Sequence, residues 1–251
     1  FFDILDFKNG QFISLNPLVD SYFDLKKRLE GHRFDNIAAA LQNWTSKVTN
    51  KWATYWLKET NKKGLCFSGG LSMNIKANGD LKENNYVNWL SVPPSGGDES
   101  LSAGACLALS AGKTKIFSIE SPYLGEQPQN KNNNIYNRLT KTEMQKNDFV
   151  ILNNFTLSKA AILLSKDHIL ARCIGNSEFG ARALGNRSIL ANPSNIENIK
   201  KINESIKNRD FWMPFTPSIM EEYTNKYLIN PKNIKSPYMT IGYNNTAQVS
   251  D

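Results

Sequence analysis

The chain has 251 residues, of which 40% are hydrophobic, and a formal net charge of +7. At roughly 100–200 residues per domain, this length allows one large or two modest domains with packed cores. The composition excludes collagen-like, coiled-coil and disordered chains, and no run approaches the roughly 18 apolar residues of a membrane span. We therefore expect a cytoplasmic protein with no membrane partner.

The positive charge is compatible with nucleic-acid binding, because basic proteins gain affinity by neutralising phosphates. The lysines, however, are scattered through an Asn-rich sequence without a dense basic run. We therefore expect no nucleic-acid partner.

Cysteine and histidine are scarce. Cys66, Cys106 and Cys173 lie far apart, which excludes a CxxC redox pair and favours three small buried residues. The two histidines, His32 and His168, are too few and too distant to form a histidine-rich metal site by themselves.

The N-terminal region predicts a β-hairpin followed by a long helix. The pair Asn9-Gly10 lies between two short apolar runs in residues 4–15, a pattern that favours a tight hairpin turn. From Asp35, taken as an N-cap, apolar residues recur every three or four positions through Tyr55, which predicts an amphipathic helix. The spacing of its tryptophans indicates core packing.

A glycine turn follows a predicted strand at residues 65–67. Gly69 and Gly70 lie between this strand and a helix-like stretch. Such a turn directs backbone N–H groups toward one point, which is the physical basis of a phosphate cradle. An ordinary tight turn explains the same glycine pair, and the sequence leaves both interpretations open.

A second strand, at residues 87–92, leads through a Pro- and Gly-containing loop to Asp98 and a helix of small residues. The simplest interpretation of Asp98 is a helix cap. Downstream, Gly112-Lys113-Thr114 resembles the end of a P-loop. Leu107 occupies the position of the required first glycine, and a helix precedes the triplet instead of following it, which excludes that motif.

Residues 121–148 have the composition of a loop, and we place a domain boundary there. After it, a strand at 148–153, a helix at 156–166 with Thr156 as N-cap and a strand at 168–174 predict a βαβ unit. His168, at the edge of the second strand, is interpreted as a structural residue.

The segment 174–193 carries the most chemical information. Glu178, Arg182 and Arg187 alternate here with three glycines. Glycines allow close approach of the backbone to a ligand, and arginines bind phosphate or carboxylate oxygens through paired hydrogen bonds. Arginines among glycines and beside apolar residues favour a partly buried anion site over a solvated loop. A helix predicted at 195–207 ends at Lys207, and Arg209 follows it; both residues add positive charge.

Five blocks in this order resemble one family: GGLSMNIKANG, PPSGGDESLSAGACLAL, SPYLGE, EFGARALGNRSILANP and RDFWMPFTPSI. They are similar to the signature blocks of O-carbamoyltransferases of the NodU, cephalosporin and tobramycin type. The resemblance runs from about residue 35 to the C-terminus. It identifies the chain as similar to the C-terminal portion of such an enzyme.

The resemblance implies a mixed α/β protein with two types of domain. Residues 1–120 would form the C-terminal part of an actin-like carbamoyl-transfer domain, 121–147 a linker, and 148–251 a C-terminally truncated YrdC-like domain. The second domain would make carbamoyl adenylate from carbamoyl phosphate and ATP with release of pyrophosphate. The carbamoyl group would then pass to a hydroxyl of a small-molecule acceptor, such as a sugar or other natural product. Because this adenylate hydrolyses readily, a water-poor pocket would consume it.

The resemblance also assigns ligands to the first domain. Gly69, Gly70 and Asn74 would lie on the nucleotide side, with Mg2+ accompanying ATP. Asp98 would be a ligand of iron (Fe2+) or a similar divalent metal, completed by histidines that this chain lacks.

In the second domain the resemblance implies a catalytic block formed by Glu178, Arg182, Arg187 and Ser188. Its arginines would bind carbamoyl phosphate and the ATP phosphates, and would neutralise charge as pyrophosphate leaves. Lys207 and Arg209 would support phosphate binding.

The sequence departs from the family pattern in three ways. The early histidine pair is absent, Met213 stands where many relatives have arginine, and the closing block beyond Asp251 is missing. We therefore expect both ends to be cut and this chain alone to be inactive in the full reaction. A homodimer is compatible with these features. The alternatives are a carbamoyl-transfer protein of the threonylcarbamoyl or hydrogenase-maturation type, and a non-catalytic nucleotide-binding remnant.

Overall fold

The computed structural model describes residues 1–111, 121–128 and 155–249. In these ranges the chain is a mixture of helices and two-stranded sheets, which confirms the predicted mixed α/β class. The chain divides into two compact units: unit 1 is Phe1–Ser118 with Ile219–Asp251, and unit 2 is Ile119–Ser218. Within the described ranges, every helix is too short or too polar to span a membrane.

Unit 1 begins with the predicted hairpin. Strands β1 (Asp6–Lys8) and β2 (Gln11–Ile13) pair antiparallel. The φ angles of Asn9 and Gly10 are 50° and 82°, as a tight turn of the primed type requires. Helix α1 (Ser21–Leu29) follows, and the Asp20 carboxylate caps it by accepting the N–H groups of Tyr22 and Phe23, each at 3.0 Å.

The predicted long helix is confirmed as α2 (Phe34–Glu59). The prediction of Asp35 as its N-cap is wrong. The helix begins at Phe34, and Arg33 is at the cap position. Asp35 lies in the first turn and pairs with the Arg33 guanidinium at 2.7 Å. Its negative charge there complements the positive end of the helix dipole.

The tryptophans of α2 are only partly in the core. Trp52 packs against the buried cluster of unit 1, and Trp44 donates its indole N–H to the Leu5 carbonyl at 2.7 Å. Trp56 is 44% exposed, so the prediction of core packing is wrong for it. The helix buries one stripe, which includes Val48, Ala53 and Leu57.

The core of unit 1 surrounds a βαβ arrangement. Strands β3 (Gly64–Cys66) and β4 (Trp89–Ser91) are parallel, and helix α3 (Ile75–Glu83) connects them. Strand β4 lies inside the predicted range 87–92 and is shorter than it, whereas β3 lies one residue earlier than the predicted range 65–67. After β4, a 3₁₀ turn at Asp98–Ser100 leads into helix α4 (Leu101–Ser110).

The last part of the chain returns to unit 1 and completes its core. Ile234 and Ile241 belong to the buried cluster that contains Leu81, Val87 and Leu90. Strands β7 (Leu228–Ile229) and β8 (Asn244–Asn245) pair antiparallel in this segment. The side chain of Asn78 on α3 donates to the Thr240 carbonyl at 2.7 Å.

Lys232 fastens this segment to the C-terminal end of α3. Its ammonium donates to the carbonyls of Lys82, Asn84 and Val87 at 2.8, 2.6 and 2.9 Å. The carbonyls of Lys82 and Asn84 are among those that the end of α3 leaves unpaired, and that of Val87 belongs to the segment that follows. The sequence predicts that residues 148–251 form one domain. In the structure the segment from Ile219 onward is part of unit 1.

Unit 2 contains the predicted helix α5 (Leu157–Ser165), whose N-cap is Thr156 as predicted. Strand β5 (Leu170–Cys173) lies within the predicted strand and pairs antiparallel with β6 (Arg187–Leu190). Helix α6 (Glu197–Lys201) continues as a π-helical segment, Ile202–Lys207, which ends at Asn208 in the left-handed conformation. The predicted helix at 195–207 is thus present.

Some predictions fall outside the described residues. These are the strand at 148–153, the Gly112-Lys113-Thr114 triplet and most of the linker. The described part of the linker, residues 121–128, lies in unit 2, where Gly125 and Phe179 form backbone hydrogen bonds with Ser177 and Pro122.

The cysteine prediction is wrong, because Cys66, Cys106 and Cys173 are all exposed. Cys66 lies on the face of β3 opposite to Leu65, which points to the core. An alternating strand buries only one of its faces. His168 is also exposed.

Candidate functional site

The loop between β5 and β6 in unit 2 is organised around the carboxylate of Glu178. Its Oε1 atom accepts the backbone N–H groups of Leu184 and Asn186 at 2.8 Å and of Arg187 at 3.1 Å. Convergence of three donors on one oxygen fixes the path of residues 178–187. Gly180 and Gly185, with φ of 122° and 109°, allow the reversals that this path requires.

The same contacts determine the ionisation of Glu178. Desolvation by burial raises the pKa of its carboxyl. Hydrogen bonds from the backbone N–H groups of Leu184, Glu178, Arg187 and Asn186 lower the pKa by more than that, so it lies below its ordinary value. Hydrogen bonds to the charged form of a carboxyl stabilise that form. Glu178 is therefore a carboxylate at neutral pH.

The guanidinium of Arg187 binds the backbone of its own unit. Nη1 donates to the carbonyls of Ile174 and Asn186 at 2.7 and 3.1 Å, and Nη2 to those of Gly175 and Glu126 at 3.1 and 3.3 Å. Both terminal nitrogens are thus occupied by protein. This arrangement positions the loop against residue 126 and leaves only Nε for another acceptor.

Arg182 differs from Arg187. It is half-buried, and its Nε atom is buried without a hydrogen-bond partner among the described residues. A buried donor of this kind is costly unless something accepts from it. Arg182 is therefore the residue of the loop best placed to receive an anionic oxygen. Ser188, at the start of β6, accepts the Gly185 N–H through Oγ at 2.9 Å.

Lys207 and Arg209 flank the left-handed Asn208. Lys207 is exposed, whereas Arg209 donates through Nε to the buried Asn203 side chain at 2.7 Å and lies over the Phe215 ring at 4.7 Å. Asn203 also donates to the carbonyls of Phe211 and Met213 at 3.1 and 3.0 Å. The buried amide of Asn203 therefore holds the segment from Arg209 to Met213. No sequence pattern indicated this role.

In unit 1 the predicted glycine turn faces open space. Gly69 has φ of 100°, and a Cβ atom built on Gly69 or Gly70 would meet nothing within 4 Å. Gly69 donates its N–H to the Gly96 carbonyl at 2.9 Å, which joins this turn to the loop after β4. The turn is accessible to a ligand.

Asn74 lies one short turn further along the chain. Its side chain caps α3 by accepting the Ala77 N–H at 3.0 Å, and it forms a reciprocal amide pair with Gln42 of α2 at 3.0 and 3.2 Å. The amide is thus occupied by protein contacts. Sequence analysis missed Gln42 because 32 residues separate the two partners.

Asp98 is exposed and opens the 3₁₀ turn without a capping hydrogen bond, so its prediction as a cap is wrong. The carboxylate of the neighbouring Glu99 accepts the Ser95 hydroxyl, and this bond lowers the pKa of Glu99. Among the described residues no three His, Cys, Asp or Glu side chains group as metal ligands. These residues alone therefore do not fit a metal ion.

The structure thus brings the predicted residues together in two separate groups. Glu178, Arg182, Arg187 and Ser188 share one loop of unit 2. Lys207 and Arg209 lie in another segment of the same unit, which Asn203 holds. The second group is in unit 1, where Gly69, Gly70 and Asn74 lie along one turn.

Two family models match the chain. The model described as Carbamoyltransferase N-terminus matches residues 3–107, and the one described as Carbamoyltransferase C-terminus matches residues 161–251. The chain belongs to the carbamoyltransferase family. The match begins at residue 3, which corrects the expectation that the resemblance starts near residue 35 and is confined to a C-terminal portion.

Individual relatives agree with this membership. An uncharacterized protein of Methanocaldococcus jannaschii is 36% identical over 191 residues, covering 72% of this chain and 34% of its own length. Nodulation protein NolO of Bradyrhizobium diazoefficiens is 28% identical over 253 residues, covering 95% of this chain and 44% of its own length. Nodulation protein NolNO of Sinorhizobium fredii is 27% identical over 256 residues, or 95% of this chain and 36% of that protein. The chain thus spans less than half the length of these relatives.

Proposed function

We propose that this chain is part of an O-carbamoyltransferase that forms carbamoyl adenylate from carbamoyl phosphate and ATP and transfers the carbamoyl group to a hydroxyl. The observation that carries the proposal is the Glu178 loop, which lies inside the region matched by the family's C-terminal model. This loop holds the Arg182 guanidinium with a buried, unpaired nitrogen. A rigid loop with a donor awaiting an acceptor suits phosphate or carbamate recognition.

The proposed reaction balances as follows. Carbamoyl phosphate, ATP and one water give carbamoyl adenylate, pyrophosphate and inorganic phosphate. Water first bonds to the phosphorus of carbamoyl phosphate, and the bond from that phosphorus to the bridging oxygen breaks, which gives inorganic phosphate and carbamate. A carbamate oxygen then bonds to the α-phosphorus of ATP, and the bond from that phosphorus to the oxygen bridging to the β-phosphorus breaks, so that pyrophosphate leaves with the electron pair. The acceptor hydroxyl then attacks the carbamoyl carbon, AMP leaves, and the hydroxyl proton passes to a base.

The residues of unit 2 have distinct proposed roles. Arg182 contacts the anion and offsets charge that develops as pyrophosphate leaves, and Lys207 and Arg209 support it. Glu178 orders the loop as an acceptor of backbone donors. Arg187 acts with Ser188 to position that loop, because its terminal nitrogens bind carbonyls instead of the direct anion contact expected from the sequence.

The proposal keeps the domain types that the resemblance implies, with unit 1 actin-like and unit 2 YrdC-like. The open turn at Gly69 and Gly70 would face a nucleotide with its Mg2+, and Asn74 would hold that turn through its cap on α3. Asp98 would supply one carboxylate to an iron site whose other ligands lie outside the described residues. No step of the proposed reaction is assigned to that metal.

Pyrophosphate release tests this proposal. In the full-length protein that contains this chain, we expect pyrophosphate release that requires both ATP and carbamoyl phosphate. Arg182→Ala should lower its rate by about 100-fold or more, as loss of one charge-stabilising donor does. Lys200→Ala, which removes an exposed charge of the same unit outside the loop, should leave it unchanged. Release that does not depend on carbamoyl phosphate, or an Arg182→Ala rate equal to wild type, would overturn the proposal.

A further inference from the structure

A groove on unit 1 lies between the β1–β2 hairpin and helix α2. Its volume is about 700 Å³, and Asp80 of α3 lies at its border. Ligand sites in proteins have volumes of about 300–1,000 Å³. The groove therefore has room for a ligand of two or three sugar rings, and neither the glycine turn nor the Glu178 loop contributes to its lining.

The aromatic part of the groove is rigid. The rings of Phe7 and Tyr55 meet edge to face, with 5.7 Å between their centroids. The hairpin turn lies directly on Tyr55, because a Cβ atom on Gly10 would come within 2.9 Å of that ring. Phe7 is 4% exposed and its ring is almost wholly covered, whereas Tyr55 is half-buried.

The charge of the groove is strongly positive. Four lysines line it against a single carboxylate, that of Asp80. Two of the lysines are anchored: Lys51 pairs with Asp6 at 2.6 Å, and Lys58 lies 4.5 Å above the Tyr86 ring. The other two, Lys8 and Lys47, are exposed, and their ammonium groups form no ion pair or hydrogen bond with a side chain in the described ranges. The charge of Lys8 also helps to lower the pKa of the Asp6 carboxyl. Both ammonium groups are available to an anion.

Neutral polar groups complete the lining. Asn50 and Thr54 are ordered by the Asn84 amide, whose Nδ2 donates to them at 2.9 and 2.7 Å. Asn43 and Asn9 line the groove with side chains that bind no other described residue. Amides and hydroxyls beside lysines suit a ligand that carries hydroxyl groups as well as negative charge.

We propose that this groove binds an anionic saccharide, such as an oligosaccharide that carries carboxylates. Lys8 and Lys47 bind its acidic groups, the asparagines bind its hydroxyls, and the ring of Tyr55 contacts its C–H groups. That this saccharide is the carbamoyl acceptor rests on the function proposed above, whereas its binding does not.

One chain of contacts connects the groove with the glycine turn. Gln42 precedes the groove residue Asn43, and its amide donates to Ser46, which also lines the groove, at 3.3 Å. The same amide pairs with Asn74, the residue that caps α3 just after the turn at Gly69 and Gly70. This connection is consistent with an acceptor held close to the transfer chemistry of unit 1.

The test is a binding titration with trigalacturonic acid in the absence of ATP and carbamoyl phosphate, with maltotriose as the uncharged counterpart. We expect the wild-type chain to bind trigalacturonic acid and to bind maltotriose at least about tenfold more weakly. The double variant Lys8→Gln/Lys47→Gln should lose about tenfold in affinity, or about 1.4 kcal/mol.

The matched control is Lys26→Gln/Lys27→Gln, which removes the same charge from exposed positions of α1 in the same unit. It should bind as the wild type does. Equal loss in both double variants would mean a general charge effect, and no binding or equal binding of maltotriose would equally overturn the proposal. Because neither ATP nor carbamoyl phosphate is present, this result is independent of the pyrophosphate assay.

Discussion

Glu178 and Arg187 order their loop through the backbone and not by pairing with each other. The carboxylate collects three N–H groups and the guanidinium four carbonyls. Hydrogen bonds of this kind to charged groups contribute roughly 1.5–3 kcal/mol each, more than neutral ones. Two ionised side chains therefore fix a glycine-rich segment that has little intrinsic order. Arg182 lies within this segment, and its Nε atom has no hydrogen-bond partner among the described residues.

The low pKa of Glu178 makes the stability of unit 2 depend on pH. Because the folded pKa lies below the ordinary 4.5, the carboxylate contributes stability above pH 4.5, and this contribution is lost as the pH falls through the folded value. Glu178→Gln should lower the free energy of unfolding by about 1–3 kcal/mol at pH 7. Urea unfolding of both proteins between pH 7 and acid measures this. The difference should shrink at low pH, and a constant difference would contradict the assignment.

Substitutions of Arg187 and Arg182 should distinguish an arginine that positions the Glu178 loop from one that is available to a ligand. Arg187→Ala removes four hydrogen bonds to carbonyls and should destabilise unit 2 by about 1–3 kcal/mol. Arg182→Ala removes an unpaired donor and should leave the midpoint of thermal unfolding nearly unchanged. Thermal denaturation of the two variants and the wild type measures the difference in their unfolding midpoints. An Arg182→Ala variant as unstable as Arg187→Ala would show that Arg182 is structural.

Apart from α2, the helices and strands in the described ranges are short, and tertiary contacts hold them. The hairpin β1–β2 has three residues per strand and is fixed by the aromatic contacts of Phe7 with Phe12 and Tyr55. Helix α3 is held at its start by Asn74 and at its end by Lys232. Isolated helices of this length and isolated hairpins are marginal in water, so tertiary partners stabilise them.

Glycine substitutions should show how closely the hairpin packs on α2. Gly10 and Gly31 have similar positive φ angles of 82° and 80°, but only Gly10 lies against another side chain, that of Tyr55. Both Gly→Ala changes should cost about 1–2 kcal/mol of backbone strain. Gly10→Ala should cost about 1–2 kcal/mol more from the forced contact. Chemical denaturation provides the comparison, and equal effects of the two changes would exclude close packing of the turn on Tyr55.

On the scale of the whole molecule, the chain leaves unit 1 for unit 2 and then returns. The returning segment supplies Ile234 and Ile241 to the core of unit 1 and Lys232 to the end of α3. The stability of unit 1 therefore depends on residues at the opposite end of the sequence.

Truncation after Ser218 tests this division. Removing two buried isoleucines and the Lys232 contacts should cost unit 1 more than about 4 kcal/mol. Hydrogen exchange should then accelerate at Leu81 of α3 and remain slow in the β5–β6 pair. The predicted assignment of residues 148–251 to one domain gives the opposite expectation. Exchange that accelerates in β5 and β6 with α3 unaffected would favour it.

Local signals in the sequence predicted the elements that neighbouring residues determine. Asn9-Gly10 predicted the hairpin, the three-to-four periodicity predicted α2, and Thr156 predicted the start of α5. Glu178, Arg182 and Arg187, which the sequence interleaves with glycines, lie in one loop of unit 2, and anion binding by this loop stays a prediction. These features depend on residues within a few positions of one another, and the motif blocks also determined the family.

Only the tertiary structure decided how the charged and polar groups are used. Arg187 was expected to bind an anion and instead binds carbonyls, and the cysteines expected in the core lie on exposed faces. The partners of Asn74 and Asn78, at Gln42 and Thr240, are 32 and 162 residues distant. The sequence by itself determined the local elements and the family, because turn geometry and helical periodicity act between near neighbours. Burial and hydrogen-bond partners depend on which distant segments meet, and no local pattern encodes that.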